Sequence, residues 1–209
     1  FIYASSSSVY GGNKKLPFSE DQSVNHPVSL YAATKKSNEL MAHSYSHLYS
    51  IPTTGLRLFT VYGPWGRPDM APMIFAKAIS SYKPIKVFNY GEMSRDFTYI
   101  DDVIDAITKC INKSPEINYK FDAEYPDPAT SFAPSRIINI GNNKPIELLF
   151  FIKLIEENLR IRAEKIFEPL QDGDVVSTYA DINNAKKYLN FSPSTSIEKG
   201  VEKFIIWFK

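Results

Sequence analysis

The sequence predicts an α/β fold. Apolar runs of strand length alternate with stretches of helical apolar spacing, and glycine and proline punctuate the turns between them. Apolar residues make up 44% and charged residues 22% of the chain, the balance of an ordinary globular protein. Its 209 residues suffice for one large domain, or a domain and a half at ~150 residues each, with a core of useful size.

Phe1 to Ala4 reads as a short buried strand, followed by Ser5 to Ser8 and the turn signal Val9-Tyr10-Gly11-Gly12. Residues 13 to 28 carry Pro17, Pro27 and mixed charge and read as loop. From Ser29 to Ser50, Ala33, Leu40, Met41, Ser44 and Leu48 trace a small or apolar stripe at helical spacing, and Pro52 closes the helix. Thr53 to Val61 returns to strand and is broken by Gly63-Pro64-Trp65-Gly66. Pro72 to Tyr82 suits a helix, Ile85 to Phe88 a short strand and Phe97 to Ile100 another, after which Asp101 can cap a helix. In that helix Val103, Ile107, Cys110 and Ile111 share one face, which makes Cys110 a core residue rather than a nucleophile. Pro115, Pro126, Pro128 and Pro134 mark residues 114 to 135 as a long surface loop. Ile137 to Ile140 is a strand ending at Gly141, and Leu148, Ile152, Ile155 and Leu159 mark the next helix. Thr195-Ser196-Ile197-Glu198 has the form of a capping box opening a last helix, with Ile197, Val201, Phe204, Ile205 and Phe208 on one side.

Composition excludes several function classes. Lys+Arg is 24 and Asp+Glu is 23, a net charge of +1, which argues against nucleic acid or an anionic membrane as partner. The longest apolar runs, such as Ile146 to Ile155, are interrupted by charge and too short to span a bilayer. One cysteine excludes an internal disulfide and a Cys-rich zinc site, and His26, His43 and His47 are too few for a metal cluster, so no metal is expected. The lone cysteine fits a reducing compartment, and the expected location is cytoplasmic. The chain opens on Phe1-Ile2-Tyr3-Ala4 inside an apolar strand, from which earlier residues are expected.

The sharpest constellation is Tyr31-Ala32-Ala33-Thr34-Lys35. On a helix, residues four apart share a face, so Tyr31 and Lys35 can enter one cleft. A free tyrosine, with a pKa near ~10, is a poor base at neutral pH, and a nearby ammonium stabilises the phenolate. Such a pair can take a proton from a sugar or alcohol hydroxyl while a hydride leaves the same carbon. Taken alone, the spacing occurs by chance in many helices and more often describes a solvated surface pair. The serine run adds context. In a parallel α/β sheet, ligands sit at the carboxyl ends of strands, where Ser5 to Ser8 follow one strand and Thr60, Gly63, Pro64 and Arg67 follow another.

Four motifs occur in order: Tyr3-Ala4-Ser5-Ser6-Ser7-Ser8-Val9-Tyr10-Gly11, then Tyr31 with Lys35, Phe59-Thr60-Val61-Tyr62-Gly63-Pro64, and Arg95-Asp96-Phe97-Thr98-Tyr99-Ile100-Asp101-Asp102. The set resembles the extended short-chain dehydrogenase/reductase superfamily in its NAD-dependent nucleotide-sugar epimerase/dehydratase branch, across essentially the whole chain. The stretch from Thr60 to Met70 is similar to UDP-glucuronate 4-epimerases within that branch. The resemblance implies a Rossmann-like doubly wound parallel sheet, of which this chain carries the C-terminal part, and a smaller substrate-binding α/β region. Residues 1–70 would hold the remaining nucleotide-binding part and the catalytic groups. Residues 71–209 would mainly bind the nucleotide sugar, with some segments returning to the first part. It also implies NAD as cofactor, a UDP-sugar as substrate and a homodimer through paired helices, with Ser29 to Ser50 as the candidate surface.

Site residues carry over one by one as implications of the resemblance. Ser6 matches the assisting hydroxyl, Tyr31 the base, and Lys35 its partner, which with Tyr31 also meets the cofactor. Arg95 matches the arginine on the nucleotide diphosphate, Asp174 an acidic residue on the nucleotide ribose, and the backbone at Val87 and Phe88 the segment along the uracil. Without the resemblance, Arg95 reads as a surface partner of Asp96 and Asp174 as a turn residue. Related dehydratases carry Asp-Glu where this chain has Ser7 and Ser8, and relatives acting on neutral sugars often have Asn at Thr60. Serine hydroxyls cannot do the proton work of an acid pair, but they can donate to a carboxylate. Ser7, Ser8, Thr60 and Arg67 therefore suit a uronic acid. The neighbouring alternatives are a neutral-sugar 4-epimerase, a 4,6-dehydratase and a non-catalytic nucleotide-binding fragment. The branch's Gly-x-x-Gly-x-x-Gly turn is not in the sequence. That turn is expected upstream, and without it the chain alone is expected to be inactive.

Overall fold

The computed structural model describes residues 1–171 and 174–209. In chain order the strands are β1 (Ile2–Ser6), β2 (Thr53–Leu58), β3 (Thr60–Tyr62), β4 (Ile85–Val87), β5 (Ser94–Tyr99), β6 (Ser135–Ile140), β7 (Pro145–Glu147), β8 (Lys165–Phe167) and β9 (Ser177–Thr178). The helices are α1 (Leu30–Tyr49), α2 (Ala71–Ser80), α3 (Ile100–Ile111), α4 (Leu148–Leu159), α5 (Asn183–Leu189) and α6 (Ile197–Phe208). The fold is of the α/β class that the alternation predicts, Rossmann-like as the resemblance implies.

β1, β2 and β6 form a parallel sheet in that order, with Ala4 opposite Leu56 and Leu56 opposite Ile138. Parallel sheets need both faces covered. α1 returns the chain from β1 to β2 over one face. On the other, Leu56, Ile138 and Ile140 join Val103, Ala106 and Cys110 of α3 and Ala185 and Leu189 of α5 in one buried cluster. Cys110 is thus a core residue, and burial raises its thiol pKa. A second cluster gathers Phe75 and Ile79 of α2, Phe97 and Tyr99 of β5, Phe151, Ile152 and Ile155 of α4, and Val201, Phe204 and Ile205 of α6. There β5 is central, parallel to β3 and β9 and antiparallel to β7, while β4 pairs with β8. No helix among the described residues is long and apolar enough to cross a membrane.

Four local expectations are corrected. The strand expected from Thr53 to Val61 is two strands in different sheets: β2 loses its partner where β6 ends at Ile140, opposite Leu58, and from Thr60 the chain pairs with β5 instead. The stripe expected to bury α1 faces outward. Leu40, Met41 and Leu48 are exposed, and Ala32, Glu39, Ala42 and Ser46 face inward. Small side chains let the helix approach the sheet, and Glu39 finds polar partners there. Asp101 does not cap α3, which starts at Ile100 in front of it, and Ile111 lies on the exposed side. In the expected capping box Ser196, not Thr195, caps α6 by accepting the Lys199 N–H, while the Thr195 N–H is taken by the Asp102 carboxylate at 3.2 Å.

Candidate active site

β1 ends at Ser6, whose backbone is extended and whose side chain caps a single 3-10 turn, Ser7–Tyr10. Ser6 Oγ accepts the Ser8 N–H at 3.2 Å and donates to Ser8 Oγ at 3.1 Å. The turn closes at Gly11, where φ is +51° and a side chain would run into the His26 carbonyl. The serine run is therefore an ordered ledge at the carboxyl end of the sheet, where a parallel α/β fold receives its ligand.

α1 brings in the opposing pair. Ser29 caps it by accepting the Ala32 N–H at 3.1 Å, which fixes Tyr31 in the first turn and Lys35 one turn later. The Lys35 ammonium lies 5.8 Å from the Tyr31 ring centroid and donates to the Ala4 carbonyl at 3.0 Å. Lys35 thus ties the helix to β1 two residues before Ser6.

Ser6, Ser7, Ser8, Tyr31, Lys35, Thr60 and Arg67 all line one cavity of about 670 Å³, walled further by Trp65, Met70, Met73 and Ile100. The structure brings these seven residues to a single cleft. Arg67, however, is held by Asp69, with Nε–Oδ1 at 3.1 Å and Nη2–Oδ2 at 2.5 Å, and both side chains are largely exposed. Its guanidinium must exchange that partner to meet a ligand.

A smaller cavity of about 270 Å³ shares Ser7, Ser8, Thr60 and Met70 with the first and adds Arg95 and Asp174. Arg95 Nη2 donates to Asp174 Oδ1 at 2.7 Å, and Nη1 donates to the Ser94 and Val176 carbonyls. Burial lowers the Arg95 pKa, and the Asp174 carboxylate opposes that shift. The simpler reading of Arg95 as a partner of Asp96 does not hold. Strand alternation sends Asp96 to the other face, where its carboxylate is buried and accepts the N–H groups of Asn142, Asn143 and Ala180 at 2.6–3.0 Å. Burial outweighs those donors and pushes its pKa up to about 6.

Val87 and Phe88 are not brought into either cavity. Val87 is a core residue whose carbonyl accepts the Glu168 N–H at 2.9 Å, and Phe88 packs against the same core. Gly173, beside Asp174, lies outside the described residues.

Sequence reasoning passed over Glu39 and Arg57, a buried ion pair between α1 and β2 with Nε–Oε1 at 2.8 Å. Two signals were available: a carboxylate eight residues after Tyr31, on the same helical face, and an arginine inside the apolar run Leu56-Arg57-Leu58.

Residues 1–121 match the model of the NAD dependent epimerase/dehydratase family. Protein CapI of Staphylococcus aureus is 54% identical over 207 residues, covering 99% of this chain and 62% of its own length. A probable UDP-glucuronate 4-epimerase of Rhizobium meliloti is 46% identical over 208 residues, covering 99% and 61%. Among solved structures, a UDP-glucuronic acid 4-epimerase from Bacillus cereus, in complex with UDP-glucuronic acid and NAD, superposes with a TM-score of 0.84. It is 35% identical, and the match covers 99% of this chain and 60% of that one. The chain thus spans about three fifths of the length of these relatives.

Proposed function

The chain belongs to the NAD dependent epimerase/dehydratase family, and from that premise we propose that it serves an NAD-dependent 4-epimerase acting on UDP-glucuronate to give UDP-galacturonate. The observation that carries this reading is the convergence of Ser6, Tyr31 and Lys35 with Ser7, Ser8 and Thr60 in one cavity. The relatives named as UDP-glucuronate 4-epimerases support it. On the same reading, residues 1–70 carry the catalytic groups and most of 71–209 holds the nucleotide sugar.

The donor set fits NAD. The Lys35 ammonium has three donors; Ala4 takes one, and the others can meet ribose hydroxyls. When bound, NAD supplies the acceptor and then the donor of hydride at carbon 4. Tyr31 takes the proton of the 4-hydroxyl and returns it after the keto sugar has turned over in the cleft. Lys35 holds the charge that develops on the phenol oxygen. Ser6 donates to the same sugar oxygen and keeps it in line with Tyr31.

Ser7, Ser8 and Thr60 receive the uronate carboxylate, joined by Arg67 once it leaves Asp69. Arg95 meets the diphosphate and Asp174 the nucleotide ribose, which requires their mutual ion pair to open. A dehydratase is disfavoured because Ser7 and Ser8 offer no acid pair. We further propose a cytoplasmic homodimer through the outward face of α1, where Leu40, Met41, Tyr45 and Leu48 are exposed. The activity is tested by incubating UDP-glucuronate and NAD with the holoenzyme carrying this chain and resolving the products by NMR. UDP-galacturonate is expected; unchanged substrate, or a 4-keto-6-deoxy product from UDP-glucose in a parallel incubation, would refute the reading.

A further inference from the structure

We propose that Glu39 and Arg57 are positioning residues for Tyr31 and Lys35, forming a buried clamp that sets where α1 stands on the sheet. The inference rests on the assignment of Tyr31 as the base. Glu39 lies four residues beyond Lys35 and eight beyond Tyr31, so all three share one helical face. Its carboxylate reaches the sheet between β1 and β2. Glu39 Oε1 accepts from Arg57 Nε at 2.8 Å and from Ser5 Oγ at 2.6 Å. Oε2 accepts from Arg57 Nη2 at 3.0 Å and from Lys36 Nζ at 3.2 Å.

The sheet holds its half of the clamp equally firmly. Ser5, Arg57 and Asn139 are register partners across β1, β2 and β6, a polar row one residue before the strand ends. Arg57 Nη1 donates to Tyr10 Oη at 3.1 Å, and Tyr10 Oη donates to Asn139 Oδ1 at 2.7 Å. Arg57 is 1% exposed and Glu39 is 4% exposed. Burial would raise the Glu39 pKa, but the Arg57 hydrogen bonds and charge outweigh it and keep the carboxylate ionised.

Stability alone does not account for such a pair, since a buried ion pair is often replaced by apolar residues without loss. Geometry does. The other buried residues of α1, Ala32, Ala42 and Ser46, are small, so besides the tie of Lys35 to Ala4 the clamp is the directional contact that sets the helix on the sheet. A two-point guanidinium–carboxylate contact fixes distance and angle. Ser5 bonds the clamp and adjoins Ser6, so the hydroxyl ledge and the Tyr31–Lys35 pair are set against each other through one network.

The test is the double variant Glu39→Leu/Arg57→Met, which removes both charges together, beside Glu39→Gln. The double variant should stay folded. Its crystal structure should show Lys35 displaced from the Ala4 carbonyl. In the holoenzyme, kcat for UDP-glucuronate should fall roughly 10- to 100-fold, with KM changed less than about threefold. Glu39→Gln keeps one oxygen for Ser5 Oγ and Arg57 Nε but turns an amide N–H on Arg57 Nη2 and leaves that charge uncompensated. It should therefore be less stable than the double variant and lose kcat in the same pattern. Glu39→Asp, which keeps the charge and shortens its reach, should fold even if neither does and should displace Lys35 in the same way. A folded variant with Lys35 still on Ala4 and kcat unchanged would overturn the proposal. Wild-type turnover decides the epimerase reading separately, and the crystallographic position of Lys35 decides the clamp even where turnover is absent.

Discussion

The Lys35 ammonium donates to the carbonyl of Ala4 at 3.0 Å while lying 5.8 Å from the Tyr31 ring. One side chain thereby joins the end of β1 to the first turn of α1. It places a positive charge beside the phenol and the serine ledge on the same side of the cleft.

Replacing Tyr31 by Phe removes the proton acceptor and leaves the walls of the cavity in place. In the holoenzyme kcat should fall ~10²–10⁴-fold, with UDP-sugar affinity by calorimetry nearly unchanged. Near-normal turnover would remove Tyr31 from the role of base. Lys35→Met should weaken NAD retention and move the pH optimum upward, and an unchanged pH profile would count against the coupling.

Gly200 lies on α6 directly over Tyr62, and a methyl group there would overlap the Tyr62 hydroxyl. Tyr62 is buried and immediately precedes Gly63-Pro64, the start of the cavity wall. Gly200→Ala should destabilise the chain by ~1–3 kcal/mol through overpacking, read by urea unfolding. Unchanged stability would mean that α6 can shift away at no cost.

Asp96 gives the chain a pH-dependent component of stability. Its pKa in the fold is about 6, raised by burial above an ordinary 3.8. The neutral form is therefore favoured on folding. That stabilisation is complete below the unfolded value and is lost as pH rises through about 6. Asp96→Asn should flatten the stability profile across this window by on the order of 3 kcal/mol, measured by urea unfolding at several pH values. Parallel profiles for the two proteins would show that Asp96 does not titrate there.

The grouping of residues at the cleft was legible in the sequence because its parts are local. A four-residue spacing on a helix and a serine run at a strand end each carry their geometry with them, and Ser6, Tyr31, Lys35 and Thr60 meet as expected. The face on which α1 packs was not legible. Leu40, Met41 and Leu48 point outward because a small-residue face and one ion pair decide the packing. That pair joins residues 18 positions apart on different elements, so no local period reports it. The break after Leu58 was hidden for the same reason, since β2 and β3 find their partners in β6 and β5, far along the chain.

The central claim is that the hydroxyls of Ser7, Ser8 and Thr60 serve a carboxylate. An ionised group closed into a cleft needs donors, and charge-assisted hydrogen bonds contribute roughly 1.5–3 kcal/mol each. Two such bonds correspond to a discrimination on the order of a hundredfold or more. The direct measurement is kcat/KM for UDP-glucuronate against UDP-galactose in the NAD-loaded holoenzyme, for the wild type and for Ser7→Asp. The account predicts a strong wild-type preference for the uronate, reduced selectively by the added carboxylate. Equal or better wild-type activity on UDP-galactose would contradict it.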